Sequence, residues 1–293
     1  MKAGRGLTIG RMVELGGGSR AGFYRHAGGC VARPNRDLDL RDAIQRVALE
    51  WPSYGRPKIT AELRRRGWVV NPKRVYRLMR EDNLLCVRKR KFVVTTDSNH
   101  DRQVYPNLAG EMVLTGIDQL WVADITYIRL LEEFIFLAVI LDAFSRRVLG
   151  WELGESLPTS LAIRALDRAL ADRRVPAGII HHSDQGVQYA SADYVDHLQE
   201  LGFQISMSRK GAPWENGRAE SFIKTLKVEE VSLKPYRDIE QARRLIGHFL
   251  EDVYNQRRLH SALGYLAPVA FEAHFAARQE EKQEKDAASR QLS

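Results

Sequence analysis

The sequence predicts an all-α domain of three short helices followed by a mixed α/β domain. Residues 38–82 carry apolar side chains at helical spacing, with Pro and Gly at the joints between segments. From residue 120 the pattern changes to short β-rich runs separated by turns, and then to strands alternating with amphipathic helices. The chain has 293 residues, which is enough for both domains.

The charge of the chain is unevenly distributed. Residues 1–110 carry 23 Lys and Arg against 10 Asp and Glu, whereas the remainder carries 22 against 27. So concentrated an excess favours a phosphate backbone as partner, although a basic block can also be a merely solubilising surface. No window is apolar enough to span a membrane, so we expect a cytoplasmic protein.

Residues 1–36 contain nine glycines and no long periodic run, and we expect loop or short helix there. The three predicted helices then cover about residues 38–51, 57–66 and 72–82. The third begins with Asn71 as N-cap, followed by Pro72 at the first helical position. Its predicted inward face consists of Val75, Tyr76, Leu78 and Met79, and its predicted outer face of Lys73, Arg74, Arg77 and Arg80.

This pattern is typical of a helix-turn-helix whose last helix enters a DNA major groove, although many small three-helix units bind proteins instead. We therefore predict a helix-turn-helix domain over residues 37–83. A basic linker is expected over residues 84–112, with the run Arg88-Lys89-Arg90-Lys91 as a solvated strand edge or a phosphate contact.

The α/β domain is predicted over residues 113–275. Three β-rich runs with tight joints form a meander, and helix-strand-helix alternation follows, which together indicate a mixed α/β sheet. The predicted strands are residues 120–128, 134–141, 147–151 and 178–182, and the predicted helices are residues 161–170, 191–201 and the segment from Trp214 onward.

Three acidic residues stand out in this domain. Asp124 lies inside a strand, where an acid is disfavoured unless it is paired or bound to metal. Asp184 follows the end of a buried strand, where ligands gather in open α/β sheets. Glu220 lies in the polar stripe of a helix together with Asn216, Lys224 and Lys227.

Each acid also has an ordinary structural interpretation. Asp124 can pair with an arginine, Asp184 can cap a turn, and Glu220 can form a surface pair with Lys224. Together they favour a shared pocket, because the first strand, the end of the fourth strand and the helix can converge at one place.

Three carboxylates suit Mg²⁺, or Mn²⁺ in its place, better than zinc. Two such ions about 3.5–4 Å apart can hold both the entering and the leaving oxygen of a phosphodiester displacement. We expect Asp124 to bridge the ions, and Asp184 and Glu220 each to complete one. His181 and His182 suggest zinc, but adjacent strand residues point to opposite faces, so a structural or DNA-facing histidine is preferred.

Several blocks of the chain closely resemble the catalytic blocks of bacterial insertion-sequence transposases of the IS-three family. They are Trp-Val-Ala-Asp-Ile-Thr-Tyr at 121–127, His-Ser-Asp-Gln-Gly-Val-Gln-Tyr at 182–189, and residues 208–222. Glu220 follows Asp184 by 36 positions, which leaves the family's 35 residues between them, and Lys227 fills the position seven after the Glu. Residues 254–265 resemble the family's C-terminal signature, residues 19–24 its early motif, and residues 38–82 its helix-turn-helix.

The resemblance implies a ribonuclease H-like, retroviral-integrase-like catalytic core and a catalytic triad of Asp124, Asp184 and Glu220. It implies Mg²⁺-dependent cleavage at the ends of an element and transfer of the freed 3′-hydroxyl to a second phosphodiester. Lys224 and Lys227 would grip a phosphate. Further contacts with double-stranded DNA, made by a homo-oligomer on the element's ends and its target, are expected at Arg209, Lys210, Trp214, Asn216, Arg257, Arg258 and His260.

The family's upstream reading frame usually supplies a leucine zipper, and this chain has no sustained heptads. A partner protein or fusion from that frame is therefore expected. Two other functions stay open at this point: a non-catalytic DNA-binding repressor derived from a transposase, and a structure-specific nuclease. Residues 276–293 form a charged tail, expected to be disordered or helical and solvated.

Overall fold

A computed structural model describes residues 37–84, 103–171, 173, 175–233 and 235–291. The predicted N-terminal segment and the basic run of the predicted linker lie outside these residues. Within them, no helix has the length and apolar character needed to cross a membrane.

The three predicted N-terminal helices are present as α1 (Leu38–Glu50), α2 (Arg56–Arg65) and α3 (Pro72–Glu81). Asn71 caps α3, because its side-chain oxygen accepts a hydrogen bond of 2.8 Å from the backbone N–H of Lys73. Gly67 follows α2 with a φ of +86°, a conformation that glycine adopts without steric cost. The apolar stripes meet in one small core, formed chiefly by Leu40, Ile44, Val47, Ile59, Leu63, Val75, Leu78 and Met79.

The prediction for Tyr76 is wrong. Its side chain is 43% exposed, and the Arg56 guanidinium lies 5.7 Å from the centre of its ring. Successive residues of a helix are about 100° apart, so Tyr76 is turned away from the stripe to which its neighbour Val75 belongs.

The second domain contains a mixed five-stranded sheet of β1 (Leu120–Arg129), β2 (Phe134–Asp142), β3 (Val148–Gly154), β4 (Ile180–Ser183) and β5 (Gln204–Met207). The strand order is β3-β2-β1-β4-β5. The first three strands are antiparallel, as expected of a meander with short joints, and β4 and β5 lie parallel to β1. The central strand β1 therefore has the predicted meander on one side and the parallel pair on the other.

Helices cover both faces of the sheet. On one face lie α4 (Thr159–Ala171) and α5 (Ala192–Glu200), whose apolar residues pack with Trp121 and Ala123 of β1. Gly150 of β3 is required there, since an added Cβ would lie 2.2 Å from the backbone oxygen of Ala165 in α4. Burial of these faces is the main source of stability of the domain.

The other face carries α6 (Gly217–Leu226), a π-helical segment (Lys227–Val231) and α7 (Ile239–His248), which continues as a second π-helical segment (Phe249–Tyr254). Ala219, Phe222, Ile223 and Leu226 of α6 are buried against Val122 and Ile128 of β1. A last helix, α8 (Pro268–Gln291), begins inside the predicted catalytic domain and runs through the described part of the predicted tail.

The three-helix domain is joined to the C-terminal part of the second domain through Leu259. Its side chain packs into the three-helix core, and its backbone N–H donates a 2.8 Å hydrogen bond to the hydroxyl of Tyr54. Next to it, buried Arg258 forms a double hydrogen bond of 2.7 Å with Glu229. This contact region, called the junction below, links residues far apart in sequence.

Candidate active site

Asp124 lies in the middle of β1, where its backbone pairs with Val139 of β2. Side chains alternate between the faces of a strand, so Asp124 shares a face with Val122 and Ile128, the face that α6 covers. One carboxyl oxygen accepts a 2.8 Å hydrogen bond from the backbone N–H of Ile125, and no described arginine forms an ion pair with it. The expected alternative, pairing with an arginine, is therefore not found among the described residues.

Asp184 follows directly after β4. The parallel pairing of β1 with β4 matches Leu120 to Ile180 and Val122 to His182, and the same register carried two residues further brings Asp184 toward Asp124. Asp184 also caps its turn, because its carboxyl oxygen accepts a 2.9 Å hydrogen bond from the N–H of Gly186. The turn-capping interpretation therefore holds.

Glu220 lies in the first turn of α6 and is exposed. Its helix is fixed to β1 by Asn216, whose side-chain amide donates a 3.0 Å hydrogen bond to the backbone oxygen of Ala123, the residue before Asp124. No ion pair joins Glu220 to Lys224 in the described part of the chain, so the surface-pair interpretation fails.

The electrostatics of Asp124 connect the three acids. Burial, then the negative charges of Asp184 and Glu220, raises the pKa of the Asp124 carboxyl to about 8. Burial also raises the pKa of Glu220. Because the charges of Asp184 and Glu220 act on the Asp124 carboxyl, both side chains lie near it, and the three acids are called the acidic pocket below.

This pocket has the donor chemistry of a hard divalent cation, although no three His, Cys, Asp or Glu side chains in the described ranges are arranged tightly enough to hold an ion as they stand. The three carboxylates offer only oxygen ligands. The pKa of Asp124 is raised first by burial and then by the negative charges of Asp184 and Glu220, which a bound cation would offset. The residues therefore fit Mg²⁺ or Mn²⁺.

Both histidines beside Asp184 are interior side chains. His181 forms a 3.0 Å hydrogen bond with the hydroxyl of Tyr194, and His182 forms one of 2.8 Å with Ser206. Burial lowers the pKa of His181 to about 3 and that of His182 to about 4, so both are neutral. They support the strand and do not form a zinc site with Asp184.

Lys227 reaches the acidic pocket. Its ammonium lies 4.4 Å from the centre of the Tyr127 ring and interacts with Asp124, while burial lowers the pKa of the lysine. Lys224 is exposed, and Trp214 is 70% exposed beside the start of α6. Asn216, by contrast, is buried and fully inside the fold, where it holds α6 against β1.

The loop before α6 carries the next two predicted DNA contacts. Arg209 is exposed, and its guanidinium pairs with Glu215 at 2.6 Å. Glu215 also accepts a 2.7 Å hydrogen bond from the backbone N–H of Arg209, which closes the loop. Lys210 is exposed at the tip of this loop.

The predicted basic face of α3 is partly paired. Arg74 and Arg77 both bind the carboxylate of Asp37, at 2.6 and 2.8 Å. Lys73 and Arg80 are exposed. Two of the four predicted cations are thus held by an acid that stands immediately before α1.

The C-terminal predicted contacts divide between surface and interior. Arg257 is exposed, but Arg258 and His260 are buried at the junction, where Arg258 pairs with Glu229. Sequence reasoning missed this pair, because Glu229 lies 29 residues upstream. It also missed Tyr127 under Lys227, for which the strand pattern gave no signal.

Comparison with known proteins identifies the two domains and the family of the chain. A family model described as "Integrase core domain" matches residues 115–213, a second of that description matches residues 201–268, and a model described as "HTH-like domain" matches residues 34–92. These matches confirm the predicted fold class: a helix-turn-helix-like domain followed by a ribonuclease H-like integrase core.

Among curated relatives, the uncharacterized 31 kDa protein of insertion element IS600 from Shigella sonnei is 37% identical over 264 residues, 89% of this chain and 97% of the relative. The transposase InsF for insertion sequence IS3A from Escherichia coli strain K12 is 38% identical over 220 residues, 75% of this chain and 76% of the relative. A chain of the simian T-cell lymphotropic virus intasome in complex with PP2A regulatory subunit B56 gamma aligns over 78% of this chain and 74% of its own, with 15% identity and a TM-score of 0.45. By its curated relatives, the chain belongs to the IS3 family of insertion-sequence transposases.

Proposed function

We propose that this transposase-family chain cleaves DNA at the ends of an insertion sequence and transfers the freed 3′-hydroxyl to a second phosphodiester, in a reaction that depends on Mg²⁺. The observation that carries the proposal is the convergence of Asp184, from the end of β4, and Glu220, from the first turn of α6, on Asp124 of β1, whose pKa their charges help to raise. A like-charged group of this kind lowers the stability of a fold, and a catalytic site is where such a cost is commonly found.

The three carboxylates would hold the divalent cations. When bound, the cations would supply the positive charge that activates the attacking oxygen and stabilises the departing one. In the first reaction water attacks phosphorus and the bond from phosphorus to the 3′-oxygen breaks. In the second, the free 3′-hydroxyl attacks the phosphorus of another phosphodiester, and the bond from that phosphorus to its own 3′-oxygen breaks and leaves a new 3′-hydroxyl. One ester replaces another, so no additional energy source is required.

The chain's own residues hold the reacting groups in place. Asn216 fixes the first turn of α6, and with it Glu220, against the strand that carries Asp124. Lys227, packed on Tyr127 and close to Asp124, is positioned to bind a phosphate oxygen near the broken bond. Exposed Trp214 offers an aromatic face on which a terminal base can stack.

DNA would also contact the exposed cations outside the pocket. We propose Lys73 and Arg80 of α3, Lys210, Lys224 and Arg257 as backbone contacts, and Arg74, Arg77 and Arg209 as contacts that first exchange their carboxylate partners for phosphate. Two DNA ends must be joined, so we propose a homo-oligomer on DNA, and end recognition by an upstream-frame protein or fusion.

The test is cleavage and joining of labelled linear DNA that carries the element's own terminal sequence, in Mg²⁺. Wild type is compared with Glu220→Gln, which keeps the size of the side chain and removes its charge. Glu200→Gln, at the exposed end of α5, is the matched control. We expect nicked and joined products from wild type and control, and DNA binding without products from Glu220→Gln.

Equal cleavage by Glu220→Gln and wild type would contradict the assignment of Glu220. Binding without products by all three proteins leads to a repeat with the upstream-frame fusion. Products from the fusion alone would show that end recognition lies upstream. No products from the fusion would favour the DNA-binding repressor.

A further inference from the structure

A cavity of about 180 Å³ lies at the junction between the three-helix domain and the catalytic domain. Four cationic side chains line it, and they come from four separate places in the chain: Lys58 in α2, Arg146 in the turn before β3, Arg218 in α6, and Arg258. Hydroxyl-bearing Ser221 and Ser261 also line it. No function so far described uses this cavity.

The positive charge of the cavity is not balanced by its own walls. Arg258 is neutralised by Glu229, but Lys58, Arg146 and Arg218 form no ion pair with any described residue. Asp142 is the single acid among the described lining residues. Its carboxyl group is buried and already accepts hydrogen bonds from the backbone N–H groups of Asp118, Phe144 and Ser145.

His260 shows that these cations converge. Burial, followed by the charges of Arg258, Lys58 and Arg146, lowers the pKa of its imidazole to about 2. Burial and the charge of Arg258 also lower the pKa of Lys58 to about 8. Cations that depress the pKa of their neighbours in this way repel one another, and a bound anion relieves that repulsion.

We propose that this cavity binds a phosphate group of the DNA backbone through Lys58, Arg146 and Arg218, as a second DNA contact behind the catalytic pocket. Guanidinium groups bind phosphate oxygens through paired N–H donors, and the serine hydroxyls can complete the set. The inference rests on the proposed function, because it takes DNA to be the substrate of the neighbouring site.

The position of the cavity explains why backbone phosphate is its ligand. Arg218 and Ser221 lie on the same helical turn as Glu220, and a helix with its side chains is about 10–12 Å across. DNA that enters the catalytic pocket from the three-helix domain therefore passes within one helix width of the cavity. Lys58 belongs to the helix that precedes the predicted DNA-reading helix α3.

The experiment measures DNA affinity of the full chain without divalent metal, over a series from about 50 to 200 mM salt. Wild type is compared with the double variant Arg146→Asn/Arg218→Gln. Asn is chosen at position 146 because its φ is +62°, a conformation that Asn tolerates. Arg164→Gln/Arg244→Gln removes two exposed charges from α4 and α7 and serves as the matched control.

The double variant is expected to bind an arbitrary duplex roughly tenfold more weakly than the control, with a salt slope smaller by about one. A scan of the duplex with single uncharged methylphosphonates should find a position that weakens wild type and leaves the double variant unchanged. Arg146→Lys/Arg218→Lys, which keeps both charges, should recover most of the affinity. A thermal melt of each variant shows whether it is folded.

Affinity and slope of the double variant equal to those of the control would overturn the proposal. So would stabilisation of wild type alone by inorganic phosphate, at matched ionic strength, together with an unchanged slope for DNA, since the cavity would then be a site for free phosphate. Failure of wild type to bind any duplex would overturn the proposed function as well. If wild type and the fusion cleave no DNA but the double variant shows the expected loss of DNA affinity, the proposed function alone is overturned.

Discussion

Replacing Asp124 by Asn should stabilise the catalytic domain at neutral pH while it abolishes catalysis. The pKa of Asp124 is raised from an ordinary 3.8 to about 8 by burial and by its acidic neighbours. Between these pH values the native state keeps a proton that the unfolded chain has released. The free energy of unfolding therefore falls as the pH rises, by up to about 1.4 kcal/mol per pH unit.

The size of the effect follows from the difference between the pH and the unfolded pKa. At pH 7 it is about three pH units, or on the order of 4 kcal/mol. Because Asp124 keeps some contact with solvent, we expect about half of this, about 2 kcal/mol. For a domain of this size, that corresponds to a rise of about 4–8 °C in Tm.

The pH dependence distinguishes this cause from a general effect of the substitution. The stabilising contribution of the Asp124 proton is fully present below about pH 4 and is lost as the pH rises through 8. The amide does not titrate, so the advantage of Asp124→Asn should be small near pH 5 and grow toward pH 8. The assay is thermal or urea unfolding at each pH in the presence of a chelator.

Asp196→Asn, which removes an exposed carboxylate from α5, is the matched control and should change stability little at any pH. If Asp124→Asn is no more stable than wild type at pH 7.5, or if its advantage does not depend on pH, the pKa of Asp124 is not raised as inferred.

Three further predictions concern the metal, the helix and the junction. The apparent affinity for Mg²⁺ in DNA cleavage should fall about tenfold per pH unit from pH 8 to 6, because the cation must displace the proton of Asp124. Asn216→Ala should slow single-turnover cleavage about 10- to 100-fold with DNA affinity nearly unchanged, because it releases α6 from β1. Tyr54→Phe should lower the stability of the junction by about 1–3 kcal/mol, because the Leu259 amide loses its hydrogen-bond acceptor. Hydrogen exchange of that amide measures the loss.

Each of these has its own control. An Mg²⁺ requirement that does not change with pH would contradict the raised pKa of Asp124. Gln199→Ala removes an exposed amide from α5 and should cleave normally, so equal slowing by both variants would argue against a positioning role for Asn216. Tyr76→Phe, which removes the hydroxyl of an exposed tyrosine in α3, should leave the hydrogen exchange of the Leu259 amide unchanged.

The order of the elements and the three acids could be predicted from sequence because the signals are local. Residues 120–129, 134–142 and 148–154 form the first three strands, which the apolar runs and the turn before residue 147 indicated. Asp124 was recognisable because an acid inside a strand is unusual. The limits of the predicted domains and the roles of the acids stay predictions.

β5 and α7 were not predicted. β5 has only four residues and directly follows Gly202 and Phe203, so it is too short for a periodic pattern to be distinguished from a loop. Its place is fixed by parallel pairing with β4, in a register that no local sequence feature specifies. Pairing with β4 therefore makes this segment a strand, which its local sequence propensity did not indicate.

Long-range ion pairs explain where the predicted DNA contacts and the structure diverge. Arg74 and Arg77 are joined to Asp37, which lies 37 and 40 residues before them. Arg258 is joined to Glu229, 29 residues before it. A basic residue in a sequence gives no indication of a distant carboxylate. A basic motif therefore predicts positive charge reliably, but it does not show which of its side chains are already paired within the fold.

The π-helical segment after α6 connects the catalytic pocket with the junction. Its first residue, Lys227, lies close to Asp124, and Glu229, two residues later, binds Arg258 at the junction. Ser53 of the three-helix domain helps to lower the pKa of Glu229. Wide helical turns of this kind are frequently found at functional sites. Because α6 and this segment are continuous, one stretch of backbone carries Glu220, Lys227 and Glu229, and it joins the proposed catalytic residues to the junction.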